Sequence, residues 1–183
     1  MKITLKNVRL SFPDLFVARP FKPGDAPKFK ATFLVPKGSA QDKELNAAIR
    51  AVAKEKWGAK ADNILKQITN NPNKFCYQDG DNKDYDGYEG HMAFSANNKT
   101  RPTVIDRDRT PLTEADGRPY AGCFVNAIVE LFTYDNSGAG MSASLGGVQF
   151  LRDGEAFSGG RPAAADDFED VSDTGADEEE AFV

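Results

Sequence analysis

The chain has 183 residues, 40% of them hydrophobic and 28% charged, with 23 Lys and Arg against 28 Asp and Glu. These proportions are typical of a soluble globular protein. No run approaches the ~18 apolar residues of a membrane span, and the amino terminus alternates where a signal peptide would be continuously apolar. Neither a membrane span nor a signal peptide is expected, and a soluble cytoplasmic protein is predicted. Cys76 and Cys123 have no CxxC partner, which predicts reduced thiols and no disulfide framework.

Charge is distributed unevenly along the chain. Every Lys and Arg lies at or before Arg161, whereas nine acids and no base follow Pro162. Without those nine acids the body has 23 bases and 19 acids, a net charge of +4 against −5 for the whole chain. Such a body is expected to bind a polyanion, and the acidic segment either competes for the same surface or recruits another protein. We predict one domain over residues 1–158 and a disordered acidic tail over residues 159–183.

Alternating apolar residues predict that the chain is mostly β. The first strand changes phase at residues 6–7 and the last at residues 146–147, so a β-bulge or bend is expected at each place. Residues 13–27 contain four prolines and are predicted to form a loop, and a clean strand follows over residues 28–35. Further extended segments are expected at 74–78, 90–96, 102–106, 123–134 and 141–151.

Helical spacing appears after the second strand. Ser39 and Asp42 match a capping pattern, and the apolar residues that follow predict an amphipathic helix over residues 40–57. A second short helix is expected around residues 64–68. The order of strand, strand, helix and several strands with two bends favours a small Greek-key barrel of the OB type with an inserted helix. Four phenylalanines are assigned to its core, namely Phe29, Phe33, Phe94 and Phe124.

The residues give little support for catalysis. His91 is the single histidine of the chain, so a two-histidine metal site is excluded and a His-paired nucleophile is not expected. A calcium loop beginning at Asn82 would place Ala93 where a bidentate Glu is required. We predict no enzyme activity, no catalytic residue, no metal and no cofactor, and we interpret the Asp-rich loop as a solvated hairpin tip.

Cationic and aromatic side chains interleave on the predicted loops and polar strand faces. Lys and Arg neutralise phosphates and aromatic rings stack on bases, which are the two means by which proteins hold single-stranded nucleic acid. The candidate cations are Arg9, Arg19, Lys22, Lys28, Lys30, Lys74, Lys99, Arg101, Arg107 and Arg109. The candidate stacking residues are Phe16, Phe21, Tyr77, Tyr85, Tyr88 and Tyr120.

The acidic tail ends in a hydrophobic tip. A terminal aromatic residue after a run of acids can fill an apolar pocket rimmed with basic residues on a partner protein. Acidic termini are also common as solubilising appendages, so both interpretations stay open. The candidate partner-binding residues are Asp177, Glu178, Glu179, Glu180 and Phe182.

Several motifs resemble those of phage single-stranded-DNA-binding proteins with an OB fold, in particular a group long catalogued as a domain of unknown function. They are VRLSFPDLF, KFKATFLVPK, FSANNKTRP, FVNAIVELFTY and the stretch SASLGGVQFLRDGE with the following AADDFED. The acidic tail ending in Phe is similar to the acidic tails of the single-stranded-DNA-binding proteins of T7-type phages. The resemblance implies single-stranded DNA binding in phage replication or recombination in the host cytoplasm, with the tail contacting replication proteins.

The sequence therefore predicts a protein that binds single-stranded DNA without sequence specificity. It is expected to be a monomer or homodimer, and duplex DNA is a further ligand to be tested. One alternative is a protein–protein adaptor or DNA mimic that acts through its acidic tail. A second alternative is a metal-dependent nuclease built on the Asp-rich loop, which would require Asp84.

Overall fold

The computed structural model describes residues 1–157, 165 and 168–172. Seven strands form one strongly bent sheet in the order β3-β4-β2-β1-β6-β7-β5, and two helices lie between β2 and β3 in the chain. Within the described ranges, no helix combines the length and apolar character needed to cross a bilayer. The strands are β1 Lys2–Arg19, β2 Lys28–Pro36, β3 Tyr77–Asp79, β4 His91–Asn98, β5 Thr103–Ile105, β6 Phe124–Tyr134 and β7 Gly140–Arg152.

Five of these strands close into a barrel, which confirms the OB-type fold that the sequence predicts. Strand β1 pairs antiparallel with both β2 and β6, β2 pairs with β4, and β6 pairs with β7. The parallel pairing of Asn97 in β4 with Ser144 in β7 completes the circle. The Asn98 amide supports this closure by donating to the Leu145 carbonyl at 3.1 Å.

The first strand is longer than the sequence suggests. The predicted loop over 13–27 is wrong in its first part, because β1 continues to Arg19 and pairs with the start of β2. It does so by bending: the register to β2 shifts on either side of Asp14, and Phe12 has a φ of 45°. The predicted bulge at residues 6–7 is confirmed by a register shift to β6 and by a φ of 52° at Asn7. A bulge of this kind lets one strand serve both sides of a small barrel.

The two predicted helices are confirmed as α1 Ala40–Trp57 and α2 Ala61–Ile68. The hydroxyl of Ser39 accepts from the Asp42 backbone N–H at 3.2 Å, and the Asp42 carboxylate accepts from the Gly38 N–H at 2.8 Å. The first bond satisfies an amide group that the first helical turn leaves without a partner, and the second ties the residue before the cap to the helix. Helix α1 packs on the barrel through a buried face of Leu45, Ile49, Val52 and Ala53.

Burial divides the four phenylalanines that the sequence assigns to the core. Phe33 and Phe94 are fully buried in the barrel interior. Phe29 and Phe124 are half-buried, and the Arg152 guanidinium covers the Phe124 ring at 3.6 Å from its centroid. A cation over a ring face replaces apolar packing for part of the Phe124 surface.

A partly buried hydrogen bond connects α1 to the sheet. The Tyr77 hydroxyl donates to the Asp42 carboxylate at 2.6 Å, and that carboxylate also accepts from the Asn46 amide at 2.9 Å. We expect Tyr77→Phe to lower the free energy of unfolding by about 1–2 kcal/mol, because a bond to a charged acceptor is lost from a buried ring. Urea unfolding followed by far-UV circular dichroism measures this change.

The matched control is Tyr85→Phe, which removes the hydroxyl of an exposed ring. It should change stability by less than about 0.5 kcal/mol. Equal effects of the two substitutions would show that the Tyr77–Asp42 bond does not fasten the helix.

Candidate nucleic-acid interface

One end of the β1–β2–β4 face gathers many of the cations and aromatic rings that the sequence singles out. Strand pairing places Arg19 opposite Lys28, and it places Lys30 beside Asn97 at the end of β4. The turn after β4 supplies two more exposed cations, and the turn between β1 and β2 supplies another with an exposed ring. We call this surface the basic–aromatic patch, and it comprises Phe16, Arg19, Phe21, Lys22, Lys28, Lys30, Lys99 and Arg101.

Within the patch the cations lie against the rings. The Lys30 ammonium is 5.3 Å from the centroid of the Phe21 ring, and the Arg101 guanidinium is 5.6 Å from that of Phe16. Phe16 packs partly against the core, whereas 73% of Phe21 is exposed. The Phe21 ring is therefore available for stacking, while Phe16 serves mainly as a base for Arg101.

Asp14 is an acid inside this basic surface. Its carboxylate lies 3.3 Å from Arg19 Nε and 3.5 Å from Lys30 Nζ. Both pairs are partly exposed, so each contributes little to stability. The main consequence of these ion pairs is positional, because one carboxylate holds two long cationic side chains next to each other. Asp14 was not singled out from the sequence.

A group of three aromatic rings borders the patch on the same face. Phe12 and Tyr85 are 53% and 54% exposed, with ring centroids 4.9 Å apart, and both contact the buried Tyr88 ring. The Tyr88 hydroxyl donates to the Ser11 hydroxyl at 3.0 Å. The sequence did not identify Phe12 as a surface residue, because its alternation with Val8 and Leu10 indicates a core position.

Small polar side chains connect the aromatic group with the patch. Thr32 lies opposite Ser11 in β1 and Ser95 in β4, and the Thr32 and Ser95 hydroxyl oxygens are 3.2 Å apart. Lys30 is two residues before Thr32 and lies on the same face of β2, because side chains alternate along a strand. The face thus runs without interruption from Tyr85 to Phe21.

An ion-pair cluster shapes the Asp-rich loop that carries Tyr85 and Tyr88. The Lys37 ammonium contacts Asp79 at 2.6 Å and also contacts Asp81. Asp81 in addition accepts from the Gly90 N–H at 2.8 Å. Lys37 thus occupies the centre of this acidic loop, and among the described residues no group of His, Cys, Asp or Glu is arranged to hold a metal ion.

Three tyrosines predicted as stacking residues are not on the surface. Tyr77 and Tyr120 are buried, with their hydroxyls donating to Asp42 and Asp153 at 2.6 and 2.7 Å, and Tyr88 is buried under Phe12 and Tyr85. Their placement in loops or beside polar residues misled the sequence interpretation. Each ring fills the interior while its hydroxyl reaches a polar partner, a normal arrangement for tyrosine.

Four predicted cations lie away from the patch. Arg9 donates to the carbonyls of Gly122 at 3.0 Å and Glu155 at 2.6 Å, so its guanidinium is engaged in holding the chain. Arg107 lies over the Phe150 ring at 5.8 Å, and Arg109 occupies an exposed turn with a φ of 71°. Lys74, on yet another surface, donates to the Ser137 carbonyl at 2.8 Å.

Residues 153–157 form a strap that returns to the barrel. The Phe157 N–H donates to the Ala121 carbonyl at 3.1 Å, and its ring packs on Leu34, Tyr88 and Ala93. The Arg9 guanidinium lies 4.3 Å from the centroid of that ring. The strap therefore ends beside the aromatic group. The predicted partner-binding residues of the tail, Asp177, Glu178, Glu179, Glu180 and Phe182, lie outside the described residues.

Neither cysteine has the environment of a reactive nucleophile. Burial raises the pKa of the Cys76 and Cys123 thiols to about 12 in both cases. Both thiols therefore remain protonated at neutral pH, whereas nucleophilic cysteines act as thiolates.

Comparison with known proteins identifies the family. A profile of the family described as the ssDNA-binding protein of Enterobacter phage Enc34 matches residues 1–182. The chain belongs to this family. It is also 54% identical over 174 residues to putative protein p50 of Acyrthosiphon pisum secondary endosymbiont phage 1, which covers 94% of this chain and 95% of that protein.

Solved structures of the Enc34 protein share the fold of this family member. The single-stranded DNA-binding protein of bacteriophage Enc34 in complex with ssDNA has a TM-score of 0.71 and 29% identity, covering 85% of this chain and 88% of that one. A second structure of the same phage protein has a TM-score of 0.68 and 28% identity, covering 92% of this chain and 90% of that one. The gp2.5 protein of bacteriophage T7 shares the fold alone, with a TM-score of 0.54 and 15% identity over 92% and 97% of the chains.

The Lys37 cluster predicts a pH-dependent contribution to stability. The hydrogen bond from Lys37 lowers the pKa of Asp79 below its ordinary value. A lowered folded-state pKa stabilises the fold above the unfolded value of about 4, and that contribution disappears as the pH falls through the folded value. We expect Asp79→Asn to be less stable than the natural chain at pH 7, with the difference shrinking as the pH falls below about 4.

Urea unfolding at several pH values measures this difference. Asp84→Asn is the matched control, because Asp84 is exposed in the same loop and forms no ion pair within the described part of the chain. A stability difference for Asp79→Asn that stays constant as the pH is lowered well below about 4 would contradict the role of Lys37.

Proposed function

We propose that the chain binds single-stranded DNA without reading its sequence, on the outer face of β1, β2 and β4. The observation that carries this proposal is the basic–aromatic patch continuous with the exposed rings of Phe12 and Tyr85. Membership of the Enc34 family and the fold shared with the ssDNA complex of the Enc34 protein support it. The same face and the adjoining loops bind oligonucleotides in OB folds generally.

The face supplies both interactions that a single strand requires. Phe21, Tyr85 and Phe12 offer exposed rings on which bases stack, and stacking is tolerant of sequence because every base has a π-face. Lys28, Lys30 and the neighbouring cations neutralise phosphates and release counterions. Thr32 and Ser95, between the rings and the cations, can donate hydrogen bonds to sugar or phosphate oxygens. The chain in this proposal acts by binding and not by catalysis.

The Asp14 ion pairs prepare the cations for phosphate. In the free protein Asp14 holds Arg19 and Lys30 at 3.3 and 3.5 Å. The two cationic groups are already close together before a phosphate arrives. Less conformational entropy is therefore lost when Arg19 and Lys30 bind the phosphate. Affinity should fall steeply with salt, because counterion release dominates this type of binding.

The proposal extends to phage DNA replication or recombination and to the acidic tail. The tail carries nine acids against a body with a net charge of +4, so it can occupy the basic face in competition with DNA. Because it is joined to the body, its effective concentration at that face is on the order of millimolar. Phe182, next to the acidic run, is the residue proposed to contact a partner protein.

Removal of the stacking rings tests the DNA-binding face. We expect Phe21→Ala and Tyr85→Ala each to weaken binding of a short labelled single-stranded oligonucleotide by about 1–2 kcal/mol, roughly 5- to 30-fold, because one base loses its stacking partner. Fluorescence anisotropy titrations at two salt concentrations, with the duplex of the same sequence in parallel, measure the change.

Phe132→Ala is the matched control, because Phe132 is exposed on β6 and lies outside this face. It should leave the affinity for the short oligonucleotide unchanged. If the natural chain binds no oligonucleotide, or if all three substitutions weaken binding equally, the proposed face is wrong. The absence of any binding would favour an adaptor that acts through the tail.

Truncation after Pro162 tests the role of the tail. We expect the truncated chain to bind single-stranded DNA more tightly than the full chain, with the largest gain at low salt, because an intramolecular competitor is removed and its competition is electrostatic. The same anisotropy titration compares the two proteins. Equal affinities across several salt concentrations would exclude competition by the tail.

A further inference from the structure

A second concave surface lies on the other side of the barrel closure. It is a cleft of about 690 Å³ formed by the outward side chains of β1, β6, β7 and β5. Its size falls in the range of protein sites that hold small organic ligands, about 300–1,000 Å³. We call it the β6–β7 cleft and define it by six of its lining residues, namely Lys2, Lys6, Asn98, Ile128, Glu130 and Gly146.

The lining of this cleft combines three kinds of group. Lys2 and Lys6 contribute positive charge from the outward face of β1. Ile128 offers an apolar surface that is 40% exposed, and the exposed Gly146 next to it has no side chain to cover that surface. Amide and hydroxyl groups, including those of Asn126 and Ser144, complete the walls. The cleft thus offers cations for phosphates and an open apolar surface with hydrogen-bonding groups for bases.

Strand register connects this cleft with the basic–aromatic patch. Residues paired directly across adjacent strands point to the same face of the sheet. Lys30 in β2 pairs with Asn97 in β4, and Asn97 pairs in turn with Ser144 in β7. Ser144 pairs with Glu130 in β6, and Glu130 pairs with Lys2 in β1. One row of outward side chains therefore leads from the patch across the closure into the cleft.

The turn after β4 makes the same connection along the chain. Asn98 lines the cleft, Arg101 lies in the patch over Phe16, and the exposed Lys99 stands between them. Cations are thus present on both sides of the closure and at the crossing point. A strand of DNA leaving the patch would meet this turn with a positively charged side chain next to its backbone.

We infer that the β6–β7 cleft is a second stretch of the polynucleotide-binding path, which receives the nucleotides that extend beyond the basic–aromatic patch. This inference rests on the proposed function. Lys2 and Lys6 contact phosphates and Ile128 contacts a base. Glu130 lies opposite Lys2 and opposes the negatively charged strand, so it limits the affinity of this second stretch.

Two oligonucleotide lengths separate the cleft from the patch. Known OB folds cover about 4–16 nucleotides, so we compare oligo-dT of about 8 and about 20 nucleotides on the full chain. Lys6→Glu should weaken binding of the longer strand by roughly three- to tenfold and leave the shorter strand unaffected, because each phosphate contact changes affinity by about this factor at moderate salt. Glu130→Lys should tighten binding of the longer strand by a similar factor.

The opposite sign expected for Glu130→Lys keeps the test independent of folding, since a misfolded protein does not bind more tightly. Lys60→Glu and Glu55→Lys are the matched controls, because they make the same charge changes at exposed positions on the helical segment outside the cleft. These controls should leave the affinity unchanged for both oligonucleotide lengths. The inference is confirmed when only the cleft variants change the affinity for the longer strand.

Two other outcomes overturn the inference, and they are distinguishable. If the natural chain binds both oligonucleotides but the cleft variants behave like their controls, the cleft is not part of the path and the proposed function stands. If the natural chain binds neither oligonucleotide, the proposed function fails together with the inference.

Discussion

The parallel pairing of β4 with β7 is the constraint on which the rest of this structure depends. Asn97 pairs with Ser144, and the Asn98 amide holds the Leu145 carbonyl at 3.1 Å. Beside this junction, the Cys76 N–H donates to the Met141 carbonyl at 3.2 Å and continues the closure. Without these contacts the β2–β4 face and the β6–β7 hairpin would be joined only through β1. With them, every outward side chain near the junction belongs to one continuous exterior.

The sequence was informative where local rules decide the outcome. The α1 cap at Ser39, the alternation of β6 and the bulge at residues 6–7 follow from neighbours in the chain, and all are present. The exposure of Phe12 does not follow from alternation, because it depends on a bend: a φ of 45° next to a register shift turns the ring away from the core face that alternation indicates. Alternation carries no information about a backbone conformation that only the partner strand requires.

The candidate site shows the same division. Grouping cations and rings by type selected Lys30, Phe21 and Arg101, which the structure places in the basic–aromatic patch, but that grouping could not separate them from Tyr77 or Arg9. The hydroxyl of Tyr77 reaches Asp42, and the guanidinium of Arg9 reaches Glu155, a residue 146 positions away in the chain. Such partners are brought together by the barrel. Charge and aromaticity in the sequence therefore identify the type of surface, whereas the fold decides which members of each type are on it.

The strap is anchored to the barrel at Phe157. Phe157 is held by the Ala121 carbonyl, by Arg9 and by the Leu34–Tyr88–Ala93 cluster, one ring away from the exposed Tyr85. Phe157 therefore anchors the strap to the barrel. A truncation upstream of Phe157 would uncover the Leu34–Tyr88–Ala93 cluster. The effect of removing the tail could then not be separated from the effect of destabilising the fold. A fluorophore attached shortly after Phe157 would instead report events at the nucleic-acid face from an anchored base.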